Sequence, residues 1–303
     1  MSLAMAKLAL GGAQFGLDYG VTNTSGQVSP AALKAILAGA RNRGIDMIDT
    51  ASQYGNSEAA IGAAMGEAGG MKLITKSASL AMAEGEHHAV QLLNDGFAAS
   101  LSNLGVSRID GFLFHRASDL TGQFGPQLWN AARAFKEAGF VSKIGVSVYD
   151  GEEISRILER VTPDIVQLPY NLLDQRLRLN ESLSRLHDAG VEVHARSAYL
   201  QGVLLGDPKS LPAFLAGLGD QIAAFHEAMQ ELGETVQAGL LACVMQRPEI
   251  ARIVAGVTSI GELDALADAA EAGARLAATH DFSGWAMDAP DLLNPALWPP
   301  RVR

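Results

Sequence analysis

Four side chains that can take part in proton transfer stand at or just beyond the ends of short apolar segments. Asp49 follows "MI", Tyr54 lies five residues later, Lys76 ends "KLITK" and His115 ends "GFLFH". An ammonium beside a phenol stabilises the phenolate, and a carboxylate beside the ammonium keeps it charged. A neighbouring histidine can donate a hydrogen bond to a carbonyl oxygen and orient it. Together these residue types predict acid–base chemistry on a carbonyl group.

Each of the four also has a simpler interpretation. Asp49 is compatible with a helix cap, and Lys76 with a surface lysine that buries its stem. His115 suits a core histidine with its hydrogen bonds satisfied, and Tyr54 suits an amphipathic loop residue. For any one residue alone the simpler interpretation is favoured. Their joint occurrence at successive segment ends favours a shared site.

A shared site requires that these segments be neighbouring strands. Short apolar, β-branched runs alternate with longer amphipathic ones along the whole chain, and several of the latter close on a glycine. The predicted strands cover residues 8–16, 46–50, 72–77, 109–115, 142–148, 165–171, 191–197 and 252–258. Eight β/α units predict an α/β fold of the (β/α)8 TIM barrel type, whose catalytic groups lie at the carboxyl ends of the strands.

The domain prediction is one barrel over residues 1–303, with 279–303 as a C-terminal loop segment that lies across it. That segment contains Trp285, Trp298 and four prolines and has no periodicity. No Gly-x-Gly-x-x-Gly follows any predicted strand, which argues against an open dinucleotide-binding sheet.

Composition limits the class of protein. The chain has 48% hydrophobic and 18% charged residues and a net charge of −10, which predicts a soluble protein without attraction for nucleic acid or anionic membranes. Cys243 is the only cysteine, which excludes an intrachain disulfide and predicts a reducing, cytoplasmic location with the thiol in a helix core. The start "MSLAMAKLAL" is too brief for a secretory signal or a membrane span.

At this level of detail the sequence resembles the aldo-keto reductases. "DTASQYGNSEAAIG" is similar to that family's aspartate and tyrosine signature, "LITK" to its lysine strand and "GFLFHRAS" to its histidine strand. The resemblance implies a barrel that reduces carbonyls with a nicotinamide cofactor. It implies catalytic roles for Tyr54 as general acid, Lys76 tuning it, Asp49 supporting the lysine beside the nicotinamide ribose, and His115 orienting the carbonyl.

The opening "LALGGAQFGLDYG" is most similar to a bacterial branch that includes proteins linked to spore-coat polysaccharide synthesis. This branch hints at sugar-like substrates.

The resemblance also implies where the cofactor lies. "GVSV" and "VQLPYN" are similar to segments that hold the carboxamide, "ARSAYLQGVLLG" to the loop around the pyrophosphate, and "AGVTSIGELDAL" to the adenosine end. The implied cofactor-binding residues are Asp49, Ser147, Gln167, Arg196, Ser197, Leu200, Gln201, Gly202, Gly256, Thr258, Ser259 and Glu262. NADP(H) is the favoured cofactor and NAD(H) the alternative.

Some positions depart from the family's pattern. Val148 replaces an asparagine at the carboxamide, and Thr258, Glu262 and Leu266 replace basic, polar and amide residues at the adenosine end. A carboxylate near a 2′-phosphate is unfavourable, which weakens the case for NADP(H). Arg247 and Arg252 are close in sequence and are candidates for a compensating contact.

Arg196 replaces an aromatic ring that many members place against the nicotinamide. A guanidinium there disfavours the cationic, oxidised ring, so the protein would be poised as a reductase. The alternative is that Arg196 pairs with a carboxylate or reaches the cofactor phosphates.

The predicted partner is a small carbonyl or alcohol substrate in an apolar-walled pocket. The expected substrate contacts are Phe15, Tyr54 and His115, with Tyr19 and the loops around Phe124 and Trp285 as further walls. Sequence leaves open the substrate, the direction of reaction and the oligomeric state.

The sequence is also compatible with three other functions. One is an NAD-linked sugar or alcohol dehydrogenase, and another is a catalytically quiet cofactor-sensing subunit, although all four catalytic positions are occupied. The third is a metal enzyme using His115 and His194. It is disfavoured because no two histidines have the spacing of ligands on one helix face and His194 is expected to face the helices. The prediction is therefore of no metal.

Overall fold

Eight parallel strands close a barrel in the computed structural model, which describes residues 2–299 and, for residues 67 and 68, the main chain only. Each strand pairs with the next along the chain, and β1 also pairs with β8. The strands are β1 (Leu8–Gly11), β2 (Met47–Asp49), β3 (Lys72–Lys76), β4 (Ile109–Phe114), β5 (Val141–Ser147), β6 (Ile165–Pro169), β7 (Glu192–Arg196) and β8 (Ile250–Gly256). The predicted TIM barrel is confirmed.

Helices cover the outside of the barrel and its connections. The α-helices are α1 (Leu3–Lys7), α2 (Ala13–Gly16), α3 (Pro30–Arg43), α4 (Ser57–Ala63), α5 (Met65–Ala68), α6 (Glu86–Leu104), α7 (Ala117–Thr121), α8 (Gly125–Glu137), α9 (Gly151–Leu158), α10 (Arg176–Leu179), α11 (Ser182–Asp188), α12 (Gly219–Glu231), α13 (Val236–Met245), α14 (Ile260–Ala277) and α15 (Pro290–Leu293). Short 3₁₀ helices cover Leu200–Leu205, Pro208–Ser210, Ala213–Leu218, Ser283–Trp285 and Pro295–Leu297.

Local signals set these boundaries. Helix α3 begins where the Ser29 side chain accepts from the Ala32 N–H and Pro30 occupies the first turn, and it ends at Gly44 with φ 84°. The first strand is shorter than the predicted 8–16, because the chain turns after Gly11 and residues 13–16 form α2. The predicted start of the last strand was late by two residues, since β8 begins at Ile250.

Alternation along the strands divides the barrel into layers. A small interior cluster of Ala9, Met47, Ile74, Leu113 and Ile165, with Val254 packed against it, fills the middle of the barrel, and most other apolar strand side chains pack outward against the helices. Four polar residues each lie two positions after a member of this cluster in the sequence: Asp49, Lys76, His115 and Gln167. Because the side-chain period of a strand is two, these four groups also project into the barrel, at its carboxyl end.

The segment after α14 departs from the predicted loop, because it contains two 3₁₀ turns and α15. Trp285 packs edge-on against Phe225 at 5.1 Å, and the Met287 N–H donates to the Leu173 carbonyl, so the segment is anchored to the outer layer. Residues 300–303 lie outside the described residues.

Cys243 is buried in α13, and burial raises the pKa of its thiol to about 12. Within residues 2–299, no helix has the length and apolar character needed to span a membrane.

Candidate active site

A buried ion pair lies at the carboxyl end of the barrel. Lys76 Nζ donates to Asp49 Oδ1 at 2.5 Å and to the Thr50 carbonyl at 2.9 Å, and the two residues are only 1% and 2% exposed. Burial alone would lower the pKa of the Lys76 ammonium, but the Asp49 carboxylate and the Tyr54 hydroxyl together outweigh burial and raise that pKa. Lys76 is therefore a fixed positive charge.

Tyr54 lies over this charge. The Lys76 Nζ is 5.1 Å from the centre of the Tyr54 ring. The loop that carries the tyrosine is tight: the Tyr54 N–H donates to the Ala51 carbonyl at 3.0 Å, and Gly55 has φ 58°. Gly16 packs so closely on the Tyr54 carbonyl that an added Cβ would overlap it. Glycine at positions 16 and 55 thus fixes the tyrosine over the lysine.

His115 forms the other side of the same end. Its ring meets the Tyr54 ring edge-on, with centroids 5.7 Å apart and planes at 85°. Burial, assisted by the Lys76 charge, lowers the pKa of His115 to about 4. The imidazole is neutral at pH 7, so it can donate one N–H without bringing a second charge beside Lys76.

A cavity of about 500 Å³ extends from these residues across the barrel mouth. One end is bounded by Asp49, Tyr54 and His115, and the other by Gly256, Thr258 and Glu262. Predicted site residues that line it between the two ends are Ser147, Gln167, Arg196, Ser197, Gln201 and Gly202. Its volume falls within the range of small-molecule and cofactor sites.

Ser147 and Gln167 present polar atoms to this cavity. Gln167 Nε2 donates to Asp49 Oδ2 at 2.7 Å, which orients the amide. Within the described chain, neither Gln167 Oε1 nor the Ser147 hydroxyl has a hydrogen-bond partner, although their strands pair at this position. The two groups suit a ligand amide that both donates and accepts.

The loop after β7 turns through strained backbone. Ser197, Leu200 and Gln201 have φ of 60°, 47° and 56°, and Gly202 has φ 91°. Asn171 Nδ2 holds the loop by donating to the Ser197 carbonyl at 3.1 Å. Left-handed residues in succession cost free energy, and this turn brings Ser197, Gln201 and Gly202 to the cavity wall.

Glu262 occupies the far end of the cavity. The Thr258 N–H and hydroxyl donate to its two oxygens at 2.7 and 2.9 Å, and Ser259 caps α14 by accepting from the Glu262 N–H. Among the described residues that line the cavity, no lysine and no arginine other than Arg196 is present. The far end therefore presents a carboxylate and no cation.

The two arginines expected to compensate lie elsewhere. Arg252 donates to Asp46 Oδ1 at 2.8 Å and to the Ala6 carbonyl, at the amino end of the barrel. Arg247 precedes β8, and its carbonyl accepts from Lys7 at that same end. The expectation of a phosphate contact from either side chain is wrong, since the carboxyl and amino ends of a strand lie on opposite faces.

Arg196 lines the same cavity as Ser147 and Gln167. Its guanidinium lies 4.3 Å from the centre of the Tyr149 ring, and one N–H group donates to the Val148 carbonyl at 3.0 Å. Within residues 2–299 it has no ion pair. The structure therefore does not support the alternative in which Arg196 pairs with a carboxylate of the described residues.

The family follows from comparison with known proteins. The sequence model of the Aldo/keto reductase family matches residues 7–277. The chain belongs to this family. An aldo-keto reductase of Mycolicibacterium vanbaalenii is 30% identical over 190 residues, which is 60% of this chain and 64% of that protein. An NADH-specific methylglyoxal reductase of Escherichia coli is 30% identical over 181 residues, 54% of this chain and 55% of that protein.

The matched stretch thus spans between about half and two thirds of these curated relatives. In fold, the holo form of an aldo-keto reductase from Bacillus halodurans superposes with a TM-score of 0.70 at 20% identity, covering 93% of each chain. Membership in the spore-coat branch stays a prediction.

Several expected contacts are absent from the cavity wall. Phe15 is completely buried under the barrel mouth and does not line it, which corrects its assignment as a substrate contact. Leu200 and Ser259 do not line it either: Leu200 is buried in the core, and the Ser259 hydroxyl is used as a helix cap. Trp285 packs against Phe225, and Phe124 precedes α8 away from the cavity. Tyr19 does line it.

Other lining residues escaped sequence analysis. Tyr149 and Tyr199 line the cavity, as do residues 22–25 of the loop after α2. Pro295 and Ala296 of the C-terminal segment line it as well. The signal for Tyr149 was its place directly after the predicted "GVSV" strand. The loop residues carried no such signal.

Within the described residues, no three His, Cys, Asp or Glu side chains are close enough to hold a metal ion. His194 does not face the helices as expected. Its outward neighbours Val193 and Ala195 belong to the outer core, while its own Nε2 bonds Glu192 at 2.8 Å inside the barrel. A bulge at positions 193 and 194 accompanies this inward placement.

Proposed function

We propose that this chain reduces an aldehyde or ketone to an alcohol, with NADH or NADPH as the hydride donor. The observation that carries the proposal is the buried Lys76–Asp49 pair beneath Tyr54, beside a neutral His115, at the carboxyl end of the barrel. A proton donor and a hydrogen-bond donor therefore stand together where a carbonyl oxygen fits. Family membership supports the same reaction class.

The cavity fits an extended dinucleotide. Ser147 and Gln167 offer unpartnered polar atoms to a carboxamide, and Ser197, Gln201 and Gly202 of the left-handed loop would lie along the pyrophosphate. Thr258 and Glu262, which also line the cavity, would lie at the adenosine end. When bound, the reduced nicotinamide supplies the hydride.

The chain's own residues supply the proton and its control. Tyr54 donates its phenolic proton to the carbonyl oxygen as negative charge develops there. The Lys76 ammonium, 5.1 Å from the ring centre, stabilises the phenolate that remains, and Asp49 keeps the ammonium in place. His115 holds the carbonyl oxygen through its N–H and brings no competing positive charge.

In this proposal, the residues around the cofactor's adenosine end favour NADH over NADPH. Glu262 is fixed by two hydrogen bonds from Thr258 and faces the cavity without a neighbouring cation among the described lining residues. Its carboxylate would repel a 2′-phosphate and accept hydrogen bonds from ribose hydroxyls. The sequence preference for NADP(H) stays an untested prediction, against which this geometry argues. The E. coli relative named as NADH-specific gives further support.

That relative's name also suggests the first substrates to try, small α-oxoaldehydes such as methylglyoxal. An NAD-linked sugar or alcohol dehydrogenase uses the same groups in reverse, so Tyr54 would act as the base. A quiet cofactor-sensing subunit has no need of the buried Lys76–Asp49 pair beneath a tyrosine.

The test follows loss of the reduced cofactor's absorbance with methylglyoxal, simple aldehydes, ketones and aldoses. Turnover should fall ~10²- to 10⁴-fold in Tyr54→Phe, because the proton donor is lost while the ring is kept. Tyr170→Phe is the matched control, since Tyr170 is a buried tyrosine outside the cavity.

Equal losses in the two variants would contradict the role of Tyr54. Cofactor binding without turnover of any carbonyl or alcohol would leave the cofactor-sensing function, and absence of cofactor binding would end the proposal.

A further inference from the structure

We propose that Arg196, supported by Tyr149, makes this site bind the reduced nicotinamide in preference to the oxidised one. The proposal depends on the proposed function only in requiring that a nicotinamide cofactor binds. It names a determinant of redox-form affinity that the reaction itself does not require.

The guanidinium is held at the reacting end of the cavity. Its N–H group donates to the Val148 carbonyl, directly after Ser147, and its strand pairs with β6 two residues beyond Gln167. Hydride donor and carbonyl must meet within reach of Tyr54 and His115, which line the same cavity. A ring whose amide is held by Ser147 and Gln167 therefore lies beside Arg196.

The charge of Arg196 is not neutralised locally. It has no ion pair within residues 2–299. Of the three acids at the neighbouring helix start, Glu153 interacts with the Arg196 charge, but its carboxylate accepts from the Tyr149 N–H at 2.6 Å and forms no ion pair with Arg196. Contact with the Tyr149 ring and the Val148 carbonyl holds the guanidinium in position and leaves its full positive charge.

That charge distinguishes the two forms of the ring. The oxidised nicotinamide carries a positive charge and the reduced ring is neutral, while the rest of the dinucleotide is the same. A guanidinium beside the ring repels the oxidised form in a partly desolvated site and leaves the reduced form unaffected. The consequence is tight binding of the hydride donor and rapid release of its product.

Affinity measured by isothermal titration calorimetry tests this inference without turnover. The quantity is the ratio of the dissociation constant of NAD⁺ to that of NADH, or of the NADP pair if that pair binds. We expect Arg196→Gln and Arg196→Met to lower this ratio by about tenfold or more, because both remove the charge. Arg196→Lys keeps the charge and should keep the ratio within about threefold.

Two further variants test whether the change in this ratio is specific to the position of the Arg196 charge. Tyr149→Leu retains Arg196 but removes its aromatic support, and it should lower the ratio by a smaller factor. Arg185→Gln removes an exposed arginine that bonds Ser155 on the outside of the barrel, and it should leave the ratio unchanged.

The outcomes separate the two proposals. An unchanged ratio with both forms bound overturns the role of Arg196 and leaves the proposed function intact. Equal weakening of both forms also overturns it, because Arg196 would then contact a group that the two forms share, such as a phosphate. Failure of the native protein to bind either form overturns the proposed function itself.

Discussion

The two ends of the barrel are built by the same strands, but they use charge in opposite ways. At the amino end, a cavity of about 490 Å³ is lined by Lys7, Lys72, Lys143, Glu192 and Arg252. Each of these groups has a partner: Lys7 donates to the Ile250 carbonyl, Lys72 and Arg252 bond Asp46, and Lys143 bonds Glu192. At the amino end, these charged groups are therefore held by ion pairs or, for Lys7, by a backbone carbonyl.

The carboxyl end leaves polar groups available. Arg196 has no ion pair, and neither the Ser147 hydroxyl nor Gln167 Oε1 has a partner, within the described residues. His115 Nδ1 is buried and also lacks a partner there. Polar groups that the fold does not satisfy cost stability, so the unpartnered groups that line this cavity mark where binding can compensate.

Single strands contain both patterns. Lys72 and Lys76 begin and end β3, Lys143 and Ser147 lie on β5, and Glu192 and Arg196 begin and end β7. Four residues of strand separate the members of each pair by roughly 13 Å. The two ends therefore differ in the environment of their charged residues and not in residue type. Matched substitutions at the two ends of one strand can measure the effect of that environment on stability.

The largest expected difference is between the two lysines of β3. Lys76→Met should destabilise the protein by about 3–5 kcal/mol, because it leaves the Asp49 carboxylate buried without its cation. Lys72→Met should cost less than about 1 kcal/mol, since the Lys72 side chain is 45% exposed and Asp46 keeps Arg252. Urea unfolding of both variants at pH 7 measures the two costs.

Equal costs would mean that burial does not distinguish the two ends. Lys76→Met should also lose carbonyl reduction, whereas Lys72→Met should keep it, which ties the stability difference to function.

A smaller effect is expected from pH at His115. The unfolded histidine has a pKa near 6.5 and the folded one about 4, so below pH 6.5 the unfolded state binds the extra proton. Stability is fully present above pH 6.5 and is lost as the pH falls toward 4, by about 3 kcal/mol. Unfolding free energies at steps from pH 7.5 to 4 should show this loss in the native protein and not in His115→Asn.

The difference between the two proteins is the informative quantity, because other groups titrate in the same window. Burial raises the pKa of Asp119 to about 6, which has the opposite sign and stabilises the folded state as the pH falls. Asp119 is common to both proteins and cancels. Parallel pH profiles would show that His115 is not held neutral by the site.

How far the sequence predicts this structure depends on how local the cause is. The eight strands were predictable because a sheet covered on both faces requires short apolar runs. Asp49, Lys76 and His115 were predictable as a cluster because parallel strands end on one face. Arg252 was misplaced because closeness in sequence to residues 256–262 was taken as closeness in space, although a residue in the first part of a barrel strand lies at the amino end.

The contacts that failed depend on packing between distant segments. Phe15 turns inward because α2 follows β1, and Trp285 turns away from the cavity because Phe225 of α12 accepts it. Neither contact can be read from the sequence close to the residue itself. Loop shape, and with it substrate choice, is decided by such contacts.

The smallest expected difference is between two glycines that flank β7. Gly190, before the strand, has φ 72° and open space where an added Cβ would stand, so Gly190→Ala should cost about 1 kcal/mol from backbone strain alone. Gly202, after the strand, has φ 91°, and an added Cβ would overlap the Thr22 hydroxyl at the cavity wall. Gly202→Ala should therefore cost roughly 1–2 kcal/mol more, because overpacking adds to the strain.

Denaturant midpoints of the two variants measure this difference, and Thr22→Ala in the Gly202→Ala background should recover most of the excess. Cofactor affinity should fall in Gly202→Ala and not in Gly190→Ala, because only residue 202 lines the cavity. If both alanines cost the same and neither affects affinity, the close packing of Gly202 on Thr22 does not shape the site. The contrast between the two ends of β7 would then rest on charge alone.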